Sequence, residues 1–197
     1  MIHKEQLYFS GILETYARIP DAQWEKLLAR LNTCRIEKNE YFLMQGDRPS
    51  RLALISSGIF RIFCITEDGD EKILAFRTRG QFIAAYTPFI ENRPAWYSIQ
   101  ALEPAELFYL PLKDFNRFSS GHPCWEKLTK EYIIQLLIEK ENRERAFLTE
   151  DATTRYLNFK TRFPELDNRI HNFHVASYLG ISPVTLSRIR GEIKKSS

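Results

Sequence analysis

The stretch HVASYLGISPVTLSRIR, from His174 to Arg190, gathers hydroxyls and guanidiniums into one short segment. Ser182, Thr185, Ser187, Arg188 and Arg190 lie close together, with Pro183 and Val184 among them. A guanidinium can donate two parallel hydrogen bonds to guanine O6 and N7. Hydroxyls and a helix N-terminus can hold phosphate oxygens. The chemistry on offer is hydrogen-bonded recognition rather than bond making.

Such side chains need a rigid mount, and the spacing supplies one. Val175, Leu179, Ile181, Leu186 and Ile189 can face one small core. Ala176 is small where two helices would cross. Gly180 falls at the turn, where a positive φ is needed and only glycine adopts it cheaply. Ser182 would cap the next helix, and Pro183 would take its first position, where a missing N–H is harmless. Every position of a helix-turn-helix is met. Its second helix enters the major groove by its N-terminal part. That puts Pro183, Val184, Ser187 and Arg188 at base edges, and Ser182 and Thr185 at phosphates. Arg190, Lys194 and Lys195 would add sequence-independent attraction. The competing readings are a helical hairpin with no nucleic-acid role and, for Arg188, a surface salt bridge.

The rest of the composition narrows the classes. Of 197 residues, 44% are hydrophobic and 13% aromatic, enough to build a core and too many for a disordered chain. Net charge is +3 but uneven. Residues 151–197 hold eight Lys and Arg against four Asp and Glu, while the preceding 150 are nearly neutral. A basic end on a neutral body favours nucleic acid, although a solvated face has the same composition. No membrane span or signal peptide is legible, so a cytoplasmic protein is expected. Cys34, Cys64 and Cys124 are odd in number and widely spaced, which fits reduced thiols and neither a zinc knuckle nor an iron–sulfur cluster. The histidines are His3, His122, His171 and His174, so a β-domain between residues 4 and 121 would lack imidazole ligands for a metal. No G-x-S-x-G, P-loop or G-x-G-x-x-G occurs, and no enzymatic activity is expected.

Upstream, residues 4–18 read as a short amphipathic helix through Leu7, Ile12, Leu13 and Tyr16. A second helix follows, with Asp21 as N-cap and a Trp24, Leu27, Leu28, Leu31 stripe. From about Glu40 short β-like runs alternate with turns: EYFLMQ, RLALIS, IFRIFCIT, EKILAFR, WYSIQAL and AELFYLP. Asp68-Gly69 marks a hairpin. Strands of this length and spacing predict a β-sandwich or rolled barrel. From His122 a long helix of about 26 residues is expected. Its apolar positions include Trp125, Leu128, Tyr132, Leu136 and Ile138. They face either a second copy of the chain or the chain's own β-domain. A new unit begins near Thr149, where Thr149 to Asp151 offer an N-cap.

Two N-terminal helices, a jelly-roll, a long helix and VASYLGISPVTLSRIR, together with GQFI after Gly80, resemble the cyclic-AMP receptor / fumarate-nitrate regulator family of bacterial transcription factors. The resemblance covers nearly the whole chain. It implies an α+β fold: a double-stranded β-helix (jelly-roll) of the cyclic-nucleotide-binding type with N-terminal helices over 1–120, a connecting and dimerisation helix over 121–148, and a helix-turn-helix domain over 149–197. It further implies a homodimer joined through Trp125, Leu128, Tyr132 and Leu136, reading a two-fold symmetric site on double-stranded DNA, and it brings RNA polymerase into consideration as a partner. A β-hairpin wing usually follows the recognition helix in that family. Only GEIKKSS follows here, so no wing is expected.

The family's nucleotide site departs from the pattern. It uses a Gly-Glu pair after G-x-F-I and an Arg-Ser-Ala or Arg-Thr-Ala shortly after. This chain has Ala84 and Ala85 at the first place, and Ala95 or Trp96 where the arginine is wanted; Arg93 is near but precedes Pro94. A buried cyclic phosphate would lack its charged partner, so tight cyclic AMP binding is not expected and any effector is unknown. The remaining aromatics, Phe82, Tyr86, Phe89, Trp96 and Tyr97, either line a pocket for another effector, with Ala84, Ala85 and Arg93, or fill the vacated space as core. The alternative function is a small-molecule-sensing module whose terminal helices dock a protein rather than DNA.

Overall fold

Short helices open the chain because they have apolar surface to cover. α1 (Ile2–Glu14) and α2 (Asp21–Leu28) bring Phe9, Leu13 and Leu27 into one cluster. The computed structural model describes residues 2–196, with side chains described for 8–195. The expected apolar position Leu7, and His3, lie outside the described side chains. α2 corrects one expectation: Pro20 occupies the cap position in extended backbone, and Asp21 is the first helical residue. The Asp21 carboxylate sits in the first turn, where the helix dipole favours it, and caps nothing.

The alternating runs then form β1 (Asn32–Ile36), β2 (Tyr41–Leu43), β3 (Arg51–Ser57), β4 (Ile59–Ile65), β5 (Glu71–Thr78) and β6 (Phe82–Ile83). A short helix, α3 (Tyr86–Ile90), precedes β7 (Ser98–Ala101) and β8 (Ala105–Pro111). The strands make two four-stranded sheets, ordered β1-β8-β3-β6 and β2-β7-β4-β5, a jelly-roll order with crossovers between sheets. Pairing is antiparallel, with Ile55 opposite Leu107 and Ile62 opposite Ile99. Ile36, Phe42, Ile55, Phe60, Ile99 and Leu107 fill the space between the sheets. Gly58 is required at the β3–β4 turn. Its φ is +103°, and a Cβ there would lie 2.5 Å from the Ala105 Cβ. The β4–β5 hairpin closes at Asp68-Gly69, where the Gly69 N–H donates to the Thr66 carbonyl and Thr66 to Asp70, both at 3.0 Å.

Two more helices follow, α4 (Leu112–Gly121) and α5 (Pro123–Thr149). Trp125 and Leu128 of α5 join Phe9, Leu13, Leu54 and Phe108 in the layer over the outer face of the first sheet. Tyr132 meets the Phe82 and Tyr16 rings edge-on, at 5.0 and 5.7 Å, and its hydroxyl donates to the Phe82 carbonyl at 3.4 Å. Trp125, Leu128 and Tyr132 therefore cover the chain's own core, which corrects their assignment to a dimer seam. Leu136 is half-buried. The exposed apolar stripe of α5 is Ile133, Ile134, Leu137 and Ile138, between 39% and 54% exposed.

The chain divides into two compact units. One runs to Cys64 and resumes over Phe76–Gln135; the other takes Ile65–Ala75 and the chain from Leu136 onward. The second unit contains α6 (Ala152–Arg162), a 3-10 turn (Leu166–Asn168), α7 (Asn172–Leu179) and α8 (Pro183–Ser196). Asp151 caps α6 by accepting from the Thr154 N–H at 2.7 Å. That bond, with a second from the Thr154 side chain, holds its carboxyl below the usual range. Among the described residues no strand follows α8 and no helix is long and apolar enough to cross a membrane.

Candidate nucleic-acid interface

α7 and α8 meet at a turn that only glycine satisfies. Gly180 has φ +69°, and a Cβ there would lie 2.6 Å from Cε1 of Phe147. The turn is closed by the Gly180 N–H on the Ser177 carbonyl and the Ile181 N–H on the Ala176 carbonyl. Val175, Ala176, Leu179, Leu186 and Ile189 are buried, as the spacing predicts, whereas Ile181 is only half-buried. With Leu186 and Ile189 turned inward, the opposite face of α8 is left to solvent. Pro183, Val184, Ser187 and Arg188 are all exposed there.

Ser182, Thr185 and Arg188 each have a local role. The Ser182 Oγ accepts from the Thr185 N–H at 3.1 Å and lies 2.9 Å from the Thr185 hydroxyl, so it caps α8. Arg188 pairs with Glu192 one turn on, at 3.4 Å, and its side chain is 70% exposed. An exposed i,i+4 pair of this kind holds the guanidinium only weakly, so it can be exchanged for a ligand.

Arg190 does not belong with them. Its guanidinium pairs with the Asp167 carboxylate, donates to Asn172 Oδ1 and, through Nε, to the Tyr156 hydroxyl at 3.1 Å. Tyr156 in turn donates to Asp167 at 2.6 Å. Burial works against the Arg190 charge, but these bonds outweigh it and hold the guanidinium above its ordinary range. Arg190 thus clamps α8 to α6 and the 3-10 turn, which corrects its assignment as a phosphate contact. Other basic residues of this end are also engaged: Arg155 on the Leu179 and Glu150 carbonyls, and Arg162 on Glu139. The exposed positive charge of the unit is smaller than its composition suggests.

Two supports escaped the sequence. Arg143 donates to the Leu74, Ile73 and Tyr178 carbonyls and stacks on the Tyr178 ring at 4.3 Å. Burial pulls its pKa below the ordinary value. The Ser177 hydroxyl accepts from the Ile73 N–H and donates to the Glu71 carbonyl, both at 3.1 Å. Together they bind α7 to the hairpin residues that belong to the same unit. No spacing rule announces either one, because both partners are distant backbone atoms.

In the roll, the candidate effector residues point different ways. Phe82 packs into the helical layer. Ala85 and Ala95 lie in the core between the sheets. Tyr86 stacks on Phe89 and meets Phe115 edge-on. Arg93 is exposed, and Trp96 is 57% exposed. The Tyr97 hydroxyl reaches the Ala84 carbonyl at 3.3 Å; burial pushes its pKa up to about 12, with the Arg77 guanidinium pulling the other way. The sequence reading also missed a buried polar group: Arg61 Nε donates to Gln100 at 2.8 Å, Gln100 to the Asn39 carbonyl at 2.8 Å, and Arg61 stacks on Phe63 at 3.9 Å. A guanidinium at mid-strand reads as surface, yet its cross-strand partner is Gln100. Among the described residues no group of three His, Cys, Asp or Glu is placed to hold a metal.

Comparison with known proteins locates this arrangement. Residues 33–122 match the cyclic nucleotide-binding domain. The chain is 27% identical over 177 residues to the fumarate and nitrate reduction regulatory protein of Vibrio cholerae, covering 82% of this chain and 68% of that protein. It is 27% identical over 173 residues to electron transport regulator A of Shewanella oneidensis, with the same coverage. This chain is similar to regulators of the cyclic-AMP receptor / fumarate-nitrate regulator family. It is a transcription regulator with a cyclic-nucleotide-binding-like sensor domain. Solved structures agree on the fold: FixK2 of Bradyrhizobium japonicum, TM-score 0.74 at 15% identity over 84% of this chain and 85% of that one, and the c-di-GMP-responsive global regulator CLP of Xanthomonas campestris, TM-score 0.71 at 17% identity over 90% and 93%.

Proposed function

We propose that this chain is a member of that family, binds double-stranded DNA as a homodimer in the cytoplasm, reads a two-fold symmetric site with the outer face of α8, and has no enzymatic activity. The observation that carries the reading is the division of α8. Leu186 and Ile189 anchor it in the core, Arg190 clamps it from the side, and Pro183, Val184, Ser187 and Arg188 stand outside. A rigid helix with an exposed hydrogen-bonding N-terminal half suits the major groove. Ser182, Thr185, Lys194 and Lys195 are the phosphate-side groups of this proposal. RNA polymerase is the partner through which such a regulator would act, with no residue assigned to it.

Dimer formation is supported by the apolar stripe Ile133, Ile134, Leu137 and Ile138, whose i,i+4 spacing lines one side of α5. Leu137→Glu should convert the dimer to a monomer in sedimentation and weaken binding to a two-half-site duplex. The residues of the roll do not fit a cyclic nucleotide held as the resemblance implies. Ala84 and Ala85 offer no carboxylate, and Ala85 and Ala95 are locked in apolar core. Titration with cyclic AMP should show no saturation in the micromolar range.

The DNA reading is tested by selecting bound duplexes from a random library. A symmetric consensus is expected, with half-sites about 34 Å apart. Binding to unselected duplex should fall steeply with salt. Recovery of no consensus would overturn the reading and favour a protein-docking role for α8.

A further inference from the structure

The outer face of α8 carries an apolar tip. Val184 is 79% exposed, next to exposed Pro183. A β-branched residue in an exposed helix position is a modest helix former, so helix stability does not account for it. Nor does the core, which takes Leu186 and Ile189 from the other side. Its neighbours on the exposed face are Ser187 and Arg188.

In the major groove only one base presents an apolar group: thymine, through its 5-methyl. Val184 and Arg188 are four residues apart on one helix face, a rise of about 6 Å. Stacked bases are about 3.4 Å apart along a strand. The two side chains therefore reach positions one or two base pairs apart. We propose that Val184 reads a thymine methyl and Arg188 a guanine one or two base pairs away, so that each half-site contains this thymine–guanine combination. The proposal rests on the DNA reading above and assigns its base specificity. Pro183 extends the apolar surface beside Val184, and Ser187 lies on the same exposed face without competing for the methyl.

The test uses the full-length protein and the consensus recovered from the random library. Each thymine is replaced in turn by deoxyuridine, which pairs identically and lacks only the methyl group. One position should be sensitive, within two base pairs of the guanine. Its replacement should weaken binding about fourfold in one half-site and about fifteenfold in both, the value of one buried methyl each time. Val184→Ser should abolish that sensitivity and keep the guanine preference; its exposure predicts an unchanged thermal midpoint. Arg188→Ala should do the reverse. The proposal is overturned by a consensus with no thymine in that window, by deoxyuridine tolerated at every position, or by sensitivity that persists in Val184→Ser. Recovery of no consensus overturns the DNA reading beneath it and the proposal with it.

Discussion

In the helix-turn-helix, every position that geometry constrains holds a residue suited to it: Gly180 at φ +69°, Ala176 at the crossing, Leu186 and Ile189 inward. Val184, Ser187 and Arg188 on the outer face of its second helix remain exposed. In the roll the strands and their inner apolar faces are equally well formed, yet the positions at which the resemblance implies charge hold Ala85, in place of a glutamate, and Ala95 or Trp96, in place of an arginine. Tyr97 closes on the Ala84 carbonyl, and Arg61 on Gln100. The output end keeps its chemistry on the surface, and the sensor end has turned its polar groups on itself. Architecture and site chemistry are thus separable. A jelly-roll needs alternating apolar residues and a few turns, whereas a nucleotide site needs two particular charges besides.

The sharpest challenge to this contrast is Ala85→Glu. Ala85 is buried in the core of the roll, so an introduced carboxylate should cost about 3 kcal/mol or more in urea unfolding and should confer no cyclic AMP binding. A stable variant that binds the nucleotide would show an open pocket and erase the distinction. Arg190→Ala strips the partner from Asp167, whose side chain is only 11% exposed, and should cost about 3 kcal/mol. A negligible loss would return Arg190 to the surface set. Gly180→Ala should cost about 2 kcal/mol, from the left-handed backbone together with the displacement of Phe147. The smallest effect is the pH response of the α6 cap. The Asp151 carboxyl is held below its ordinary value of 3.8, so its contribution is present above that pH and fades as pH falls further. Asp151→Asn should flatten that part of the acid-unfolding profile.

Much of this was legible in residues 172–191, because apolar, small, glycine and capping residues must coincide at fixed offsets there. The Asp68-Gly69 hairpin and most strands followed from alternation in the same way. β1 did not: of NTCRI only Ile36 is buried, so an edge strand left no pattern. β6 has two residues and α3 five, too short to show a period. The roles of Trp125, Leu128 and Tyr132 were open because an apolar helix face looks alike whether its own chain or a second copy covers it. Arg190 could have been found. It lies four residues after Leu186 and so shares the inner side of α8, although its partner Asp167 is too distant in sequence for any local rule.

The central claim is that the outer face of α8 reads bases while Arg190 only positions it. The direct measurement is the ratio of affinities for the selected consensus and for random duplex, in wild type and Arg188→Ala. The account predicts a ratio reduced about tenfold or more with the unfolding midpoint unchanged. An unchanged ratio, with normal folding, would contradict it.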